Sequence, residues 1–202
     1  MLRIRKEHMS ALAGQQTAGF TSRMVSHLRE VFADQVAGLD DESLRLFVDR
    51  VCTQAEEWGI PIIFHTATAQ ASDVPLRYAD PIPFDDVAFA FPRLKIIMAH
   101  WGHPWQREVT MVCRKHPNVY IELSANFYHP WALYNALITA LEWRQTDKIF
   151  FGTDYPVATA QEQIDGLRKL NRFAQGGNPR IPDEVIEGII YRDSLSILGI
   201  DG

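Results

Sequence analysis

Cysteine is scarce in this sequence, positive charge is in deficit and long apolar runs are missing. The two cysteines, Cys52 and Cys113, lie in segments with helical apolar spacing, so we expect small buried hydrophobes and no disulfide framework. With 20 Lys and Arg against 25 Asp and Glu, the formal net charge of -5 provides no basic surface for nucleic acid. No segment approaches the roughly 18 apolar residues of a membrane span, and no apolar stretch follows the basic N-terminus as in a secretory signal. We therefore expect a cytoplasmic protein that binds neither nucleic acid nor membrane.

The composition is that of one globular domain. The chain has 202 residues, of which 47% are hydrophobic, enough for a sizeable core. Residues 1–20 show no clear period and are predicted to be a loosely held arm that precedes a domain over residues 21–202. Apolar spacing and turn residues predict two helices at the start of this domain, over residues 21–38 and 40–59.

Beyond residue 59 the pattern changes to short apolar runs that alternate with helical segments. Nearly uninterrupted runs of this type suit strands that are buried on both faces of a parallel sheet. Strands that alternate with helices indicate βα units, so the sequence predicts an α/β fold. The predicted strands cover residues 60–64, 94–99, 119–123 and 149–152, and the predicted helices cover residues 105–115, 131–143, 161–173 and 182–198.

A residue capable of acid–base or metal chemistry follows three of these strands. His65 ends the first run, His100 ends the second, and Asp154 follows the fourth. In parallel α/β folds the ligand site lies at the carboxyl ends of the strands, so we expect the three side chains to converge. Any one of them alone would be as consistent with a turn or capping residue, but their shared position favours a functional site.

Five segments of the chain carry a resemblance to a known family. In order they are IPIIFHTA, FPRLKIIMAHWGHPW, HPNVYIELSA, KIFFGTDYP and EVIEGIIYRDSLSILGI. They cover roughly residues 55–200 and resemble the second half of the amidohydrolase-related family, which contains metal-dependent hydrolases and decarboxylases. The resemblance implies a partial (β/α) TIM barrel of the metal-dependent hydrolase type.

The resemblance also implies roles for the strand-end residues. His65 is similar in position to a metal ligand of the family, and Asp154 to a residue that binds the metal and shuttles protons. His100 is similar to a residue that binds or polarises the substrate. The implied cofactor is a divalent metal, Zn²⁺ or alternatively Mn²⁺, because imidazole and carboxylate suit such an ion and its activated water.

One departure from the family pattern limits these expectations. The family begins with a strand that carries His-x-His, which supplies two further ligands, and this sequence contains no such motif. A complete barrel needs roughly 250 residues and eight strands, so the first half is expected to be missing. The remaining strands would have open edges, and we expect either a homo-oligomer or association with the missing N-terminal half.

Four more residues are candidates for contact with a small-molecule substrate. Each also has a structural interpretation, such as turn formation or core packing. Arg77 is the candidate for binding a carboxylate. For Glu122, which alternates with apolar residues of the third run, a paired structural carboxylate is the favoured interpretation, and His27 has only a structural one. The four candidates are Arg77, Trp101, His103 and His129.

Three functions are consistent with the sequence. The first is a hydrolase that cleaves an amide, ester or lactone bond with metal-activated water and an Asp proton shuttle. The second is a non-oxidative decarboxylase of an aromatic or unsaturated acid. The third is an inactive half-barrel that serves as an interaction module.

Overall fold

One four-stranded parallel sheet organises the chain. The computed structural model describes residues 6–68 and 75–200, except for the side chains of residues 6–17 and 31. Each strand pairs in parallel with the next along the chain, in the order β1-β2-β3-β4. The strands overlap all four predicted runs, so the predicted α/β class and the partial barrel are confirmed. They are β1 (Ile62–His65), β2 (Ile96–Ala99), β3 (Val119–Glu122) and β4 (Ile149–Phe150).

Helices occupy the connections between strands and flank the sheet. No helix in the described part of the chain is long and apolar enough to cross a membrane. Short 3-10 helices follow β2 and β3, at His100–Gly102 and Asn126–Tyr128, and another spans Leu76–Tyr78. The α-helices are α1 (Lys6–Val31), α2 (Ala33–Val36), α3 (Asp41–Trp58), α4 (Pro83–Ala90), α5 (Gln106–Lys115), α6 (Pro130–Glu142), α7 (Ala160–Arg168), α8 (Asp183–Ile190) and α9 (Ser194–Ile197).

Helix α3 has the ends that its sequence predicts. The Asp40 carboxylate accepts a hydrogen bond from the backbone N–H of Ser43 at 2.7 Å, which satisfies a free donor of the first turn. Gly59 ends the helix with a left-handed φ of 67°, a conformation that glycine adopts without a steric penalty. The helix therefore stops where the chain must turn to enter β1.

Two helical predictions need correction. Helix α1 spans Lys6–Val31, so it does not begin at residue 21 as predicted, and residues 6–20 of the predicted arm are helical. Residues 1–5 of that arm lie outside the described residues. Ala, Gln, Met, Lys and Glu are good helix formers even where the apolar period is weak. Helix α4 was not predicted, although Pro83 at its first turn and Asp85 and Asp86 after it are typical of a helix start.

The two faces of the sheet are covered to different extents. Side chains alternate between the faces along each strand. One face, which includes Ile96, Met98 and Ile121, is fully buried against the helices in the main core. The other face forms a smaller cluster in which Ile97 and Phe150 pack with Leu198 from the C-terminal end of the chain.

This second face is incomplete beside β1. Ile63 pairs with Ile97 across the two strands, yet Ile63 is 64% exposed while Ile97 is 5% exposed. Within the described residues β1 has a strand neighbour on one side only. Helix α1 packs on α3 and α4, and it does not replace a neighbouring strand. The structure thus leaves an open sheet edge next to an exposed apolar side chain.

Candidate active site

The ends of β1 and β2 bring two histidines together. His65 is the last residue of β1 and pairs in register with Ala99, so His100 is the next residue beyond that pair. The two imidazole rings are in contact, with centroids 4.9 Å apart and an angle of 66° between their planes. The predicted convergence of these two side chains is therefore present in the structure.

Asp154 lies close enough to act on His65 electrostatically. Burial lowers the pKa of His65 below its ordinary value of 6.5, and the neighbouring His100 lowers it further. A hydrogen bond with the backbone of Ala67 and the negative charge of Asp154 oppose this shift. The balance favours a neutral imidazole at His65, the form that binds a metal ion or accepts a proton.

Three residues at the strand ends adopt left-handed backbone conformations. His100, Trp101 and Asp154 have φ values of 56°, 50° and 57°. Such a conformation in a residue other than glycine costs on the order of 1–3 kcal/mol and persists only where the surroundings enforce it. At His100 the backbone carbonyl accepts hydrogen bonds from the side-chain amide of Asn126 at 2.8 Å and from the backbone N–H of His103 at 3.1 Å.

The backbone and ring of His100 are also bound by residues at the end of β3. Its backbone N–H donates to Oε2 of Glu122 at 3.2 Å, and its Nδ1 lies 2.9 Å from Oγ of Ser124. The Ser124 hydroxyl donates in turn to Oε2 of Glu122 at 2.7 Å. Glu122 is therefore a hydrogen-bonded carboxylate, as the structural interpretation expects. It also contacts the candidate site, because it binds the backbone of His100 and the Ser124 hydroxyl that contacts the His100 ring.

His103 and His129 form a second pair. Their rings stack with centroids 4.3 Å apart and planes within 3° of parallel. Gln106 Nε2 lies 2.8 Å from Nδ1 of His103 and so serves as a donor to it. Burial lowers the pKa of His103 below 6.5, and His129 lowers it further. The structure brings these two predicted substrate residues together in the loops that follow β2 and β3.

Trp101 occupies a different environment from the one predicted. Its ring is fully buried in the main core, and its indole N–H donates to Oγ1 of Thr110 at 3.0 Å. The side chain therefore packs behind the strand end and presents no surface to a substrate. The left-handed backbone at His100 and Trp101 turns adjacent residues to different sides, which a strand or helix period cannot predict.

Arg77 lines a cavity that it shares with His65. The cavity has a volume of about 640 Å³ and lies between α1, β1 and α4, with aromatic walls that include Phe20, Phe64 and Phe84. One guanidinium nitrogen of Arg77 lies 2.7 Å from each carboxylate oxygen of Glu30, which also lines the cavity. The predicted carboxylate-binding residue is thus in the cavity and is already paired with a carboxylate of the chain.

His27 was interpreted as structural from sequence, yet it borders this region. It lines the large cavity and, together with His65, a smaller one of about 150 Å³. Its Nδ1 is buried without a hydrogen-bond partner, its ring packs on Tyr78 at 4.4 Å, and burial lowers its pKa. Its position on the apolar side of α1, between Met24 and Leu28, is the signal that could have placed it next to the sheet.

The ligand set for a metal is incomplete in the described residues. No group of three His, Cys, Asp or Glu side chains that could hold a metal ion is present among the side chains that the structure describes, those of residues 18–30, 32–68 and 75–200. A catalytic zinc site has three protein ligands and an open position. His65 and Asp154 therefore do not make a metal site by themselves.

Comparisons with known proteins identify the family and the fold of the chain. The amidohydrolase family model matches residues 8–193 of the chain. A TIM-barrel protein of uncharacterized function from Bordetella bronchiseptica is 25% identical, with a TM-score of 0.55 over 77% of this chain and 50% of that one. No curated protein matches the chain.

Two further solved structures share the fold at lower identity. A Lactobacillus casei protein provisionally named a metal-dependent hydrolase is 20% identical, with a TM-score of 0.60 over 80% of this chain and 45% of that one. The 5-carboxyvanillate decarboxylase of Sphingomonas paucimobilis is 16% identical, with a TM-score of 0.50 over 74% of this chain and 52% of that one. The chain spans about half the length of each of these structures.

Proposed function

The chain belongs to the amidohydrolase family, and we propose that it supplies the carboxyl-terminal half of a metal-dependent hydrolase site. The observation that carries this proposal is the contact between His65 and His100 at the ends of adjacent parallel strands, within the electrostatic reach of Asp154. The substrate class is an amide, ester or lactone, because an acid–base carboxylate beside imidazoles suits acyl transfer to water.

Each residue has a separate part in this proposal. His65 and Asp154 would hold a divalent ion, Zn²⁺ or Mn²⁺, as two of its ligands, and the bound ion would supply an activated water. Asp154 accepts a proton and delivers it to the leaving group, and His100 binds the substrate beside it. His103 and His129 line the substrate side of the site.

The remaining ligands must come from outside the described residues. We propose that the open edge of β1, with Ile63 beside it, takes a half-barrel of four parallel strands that carries a His-x-His motif. The incomplete ligand set and the match to about half of each solved structure support this partner. A second copy of the chain would occupy the same surface when that half is absent, because an edge strand pairs with any compatible strand.

Metal titration tests the first proposal. The chain alone is expected to bind Zn²⁺ weakly, and coexpression with a family half-barrel that carries His-x-His is expected to raise the affinity at least about tenfold, or roughly 1.4 kcal/mol. His65→Ala and Asp154→Ala should each remove this gain. His116→Ala is the matched control, because His116 bonds to Asp85 and lies outside the strand-end group. Equal Zn²⁺ binding in all four proteins would refute the proposal.

The cavity beside Arg77 favours a second candidate function. Phenylalanine walls and a guanidinium suit an aromatic carboxylic acid, and a volume of about 640 Å³ lies in the range of small-molecule pockets. This is the substrate class of a non-oxidative decarboxylase. The completed protein should be assayed on a panel of lactones and aromatic acids, with hydrolysis and CO₂ release measured in parallel. Absence of both activities, together with unchanged metal content in the variants above, would leave the interaction module as the function.

A further inference from the structure

The carboxylate of Glu122 receives hydrogen bonds from three donors. The backbone N–H of Ser124 donates to Oε1 at 2.6 Å, and the backbone N–H of His100 donates to Oε2 at 3.2 Å. The Ser124 hydroxyl lies 2.7 Å from Oε2. Both carboxylate oxygens therefore face backbone donors and act as acceptors. The hydroxyl must serve as the donor in its bond to Glu122, because a carboxylate without a proton can only accept.

A serine hydroxyl has one proton, and that of Ser124 is donated to Glu122. This determines the direction of the hydrogen bond between Ser124 and His100. Nδ1 of His100 lies 2.9 Å from the same oxygen. Since the hydroxyl proton points to Glu122, Oγ accepts at this contact and Nδ1 donates. A neutral imidazole has one N–H only, so its Nε2 then carries a lone pair.

We propose that Glu122 and Ser124 are positioning residues that hold neutral His100 in the tautomer protonated at Nδ1, so that Nε2 serves the site as a hydrogen-bond acceptor. The role of Nε2 as an acceptor in catalysis rests on the proposed function, whereas the tautomer itself follows from the hydrogen bonds. A neutral His100 in this form accepts a bond from a donor group, such as a hydroxyl or water. It cannot donate one to a developing oxyanion.

Further contacts hold the hydrogen-bonded series Glu122–Ser124–His100, which we call the relay, in place. Asn126 Nδ2 binds the carbonyl oxygen of His100, so both backbone polar groups of His100 are held while its φ is 56°. Gly152, on the neighbouring strand end, provides the room for Glu122, because an added Cβ would lie 1.9 Å from Oε1. The geometry thus fixes the residue at its backbone and at one ring nitrogen, and leaves the other nitrogen to the site.

The tautomer is measurable without any activity assay. The full chain, labelled with ¹⁵N at histidine, is examined by long-range ¹H–¹⁵N correlation at about pH 8, above the ordinary imidazole pKa of about 6.5. We expect Nδ1 of His100 to give the protonated nitrogen signal and Nε2 the unprotonated one. His116 is an internal reference of the opposite type, because its Nε2 lies 2.6 Å from Oδ1 of Asp85.

Variants test whether the relay sets this state. In Glu122→Gln the amide NH₂ faces a backbone N–H at either carboxylate position, that of Ser124 at Oε1 or that of His100 at Oε2. Where the NH₂ replaces Oε2 it donates to Ser124, whose hydroxyl then donates to Nδ1, so the ¹⁵N signals of His100 should move part of the way toward the other tautomer. Ser124→Ala should give a mixture of tautomers, and Ser124→Thr should restore the wild-type pattern because it keeps the hydroxyl. Asp85→Asn is the matched control, and it should alter the signals of His116 and leave those of His100 unchanged.

The outcomes separate this proposal from the proposed function. If wild-type His100 is protonated at Nε2, or if its signals in Ser124→Ala match the wild type, the relay is refuted. The serine variants keep the test decisive where Glu122→Gln fails to fold. Because this experiment measures neither metal binding nor activity, the tautomer proposal can be correct where the hydrolase proposal is wrong. The hydrolase proposal can likewise be correct where the tautomer proposal is wrong.

Discussion

Glu122 occupies the space that a side chain at Gly152 would need. The two residues lie at the ends of neighbouring strands, and a Cβ at position 152 would come 1.9 Å from Oε1 and 2.7 Å from the carboxyl carbon. The carboxylate that binds Ser124 and His100 can therefore reach them only because its neighbour has no side chain.

Gly152→Ala is accordingly expected to destabilise the chain by about 1–3 kcal/mol, the usual effect of forcing an extra group into a packed region. The denaturant midpoint measures this. Gly188→Ala is the matched control, because Gly188 lies in helix α8 with only the end of Arg192 at 4.0 Å. Alanine is the better helix former, so the control should be neutral or more stable by up to about 1 kcal/mol. Equal midpoints for the two variants would contradict the packing argument.

The ion pair between Arg77 and Glu30 should compete with an aromatic carboxylate for the cavity. Glu30→Gln is expected to strengthen benzoate binding, because it frees the guanidinium, and Arg77→Ala should weaken it about tenfold or more, since a charge-assisted hydrogen bond contributes about 1.5–3 kcal/mol. Chemical-shift titration with benzoate measures both. Arg93→Ala provides the control, because Arg93 forms a similar pair with Glu56 away from the cavity. A comparable loss in Arg93→Ala would exclude specific recognition by Arg77.

Acidification is expected to destabilise the folded chain partly through His103. Burial, and then the charge of His129, lowers the pKa of His103 below 6.5. The unfolded chain therefore binds more protons here than the folded chain. This contribution is fully present above pH 6.5, and it is lost as the pH falls through that value toward the lower folded pKa.

Urea midpoints between about pH 8 and pH 5, the range in which histidines titrate, measure this dependence. His103→Gln should make the loss on acidification smaller, and His129→Gln should do so to a lesser degree because it removes only the second cause. His27 and His65 act in the same direction, so some dependence should remain. An unchanged slope in His103→Gln would rule out the contribution.

The exposed side chain of Ile63 should govern association through the open sheet edge. Ile63→Glu is expected to reduce concentration-dependent self-association in sedimentation experiments without unfolding the chain, since Ile63 is already 64% exposed. Ile97→Glu, one strand away on the same face, should unfold it, because Ile97 is 5% exposed and the variant would bury a charge. Self-association that survives Ile63→Glu would place the interface elsewhere.

The strand ends were predictable because two rules of sequence and topology coincide there. Apolar runs locate buried parallel strands, and the direction of those strands brings their ends to one edge. The convergence of His65 and His100 was predicted from these rules, and the structure adds that their rings are in contact. The positions of Asp40 and Gly59 at the ends of α3 were predictable for a similar reason, because capping depends on a few local residues.

The features that escaped prediction depend on tertiary contacts. Trp101 is buried because left-handed backbone turns it away from His100, and no local period encodes that turn. His27 reaches the cavity only through the packing of α1 near β1. The link from Glu122 to His100 depends on the absence of a side chain on the neighbouring strand, at a position 30 residues later in the sequence.

The left-handed turn after β2 also has a consequence for how the loop can change. Ala99 is the last residue of β2, His100 lines the site and Trp101 is buried in the core, so three successive residues lie in three different environments. A substitution at one of these positions changes the side chain in one environment. An insertion or deletion of a single residue shifts the residues in all three environments at once. The loop should therefore accept exchanges of residue type far more readily than any alteration of its length.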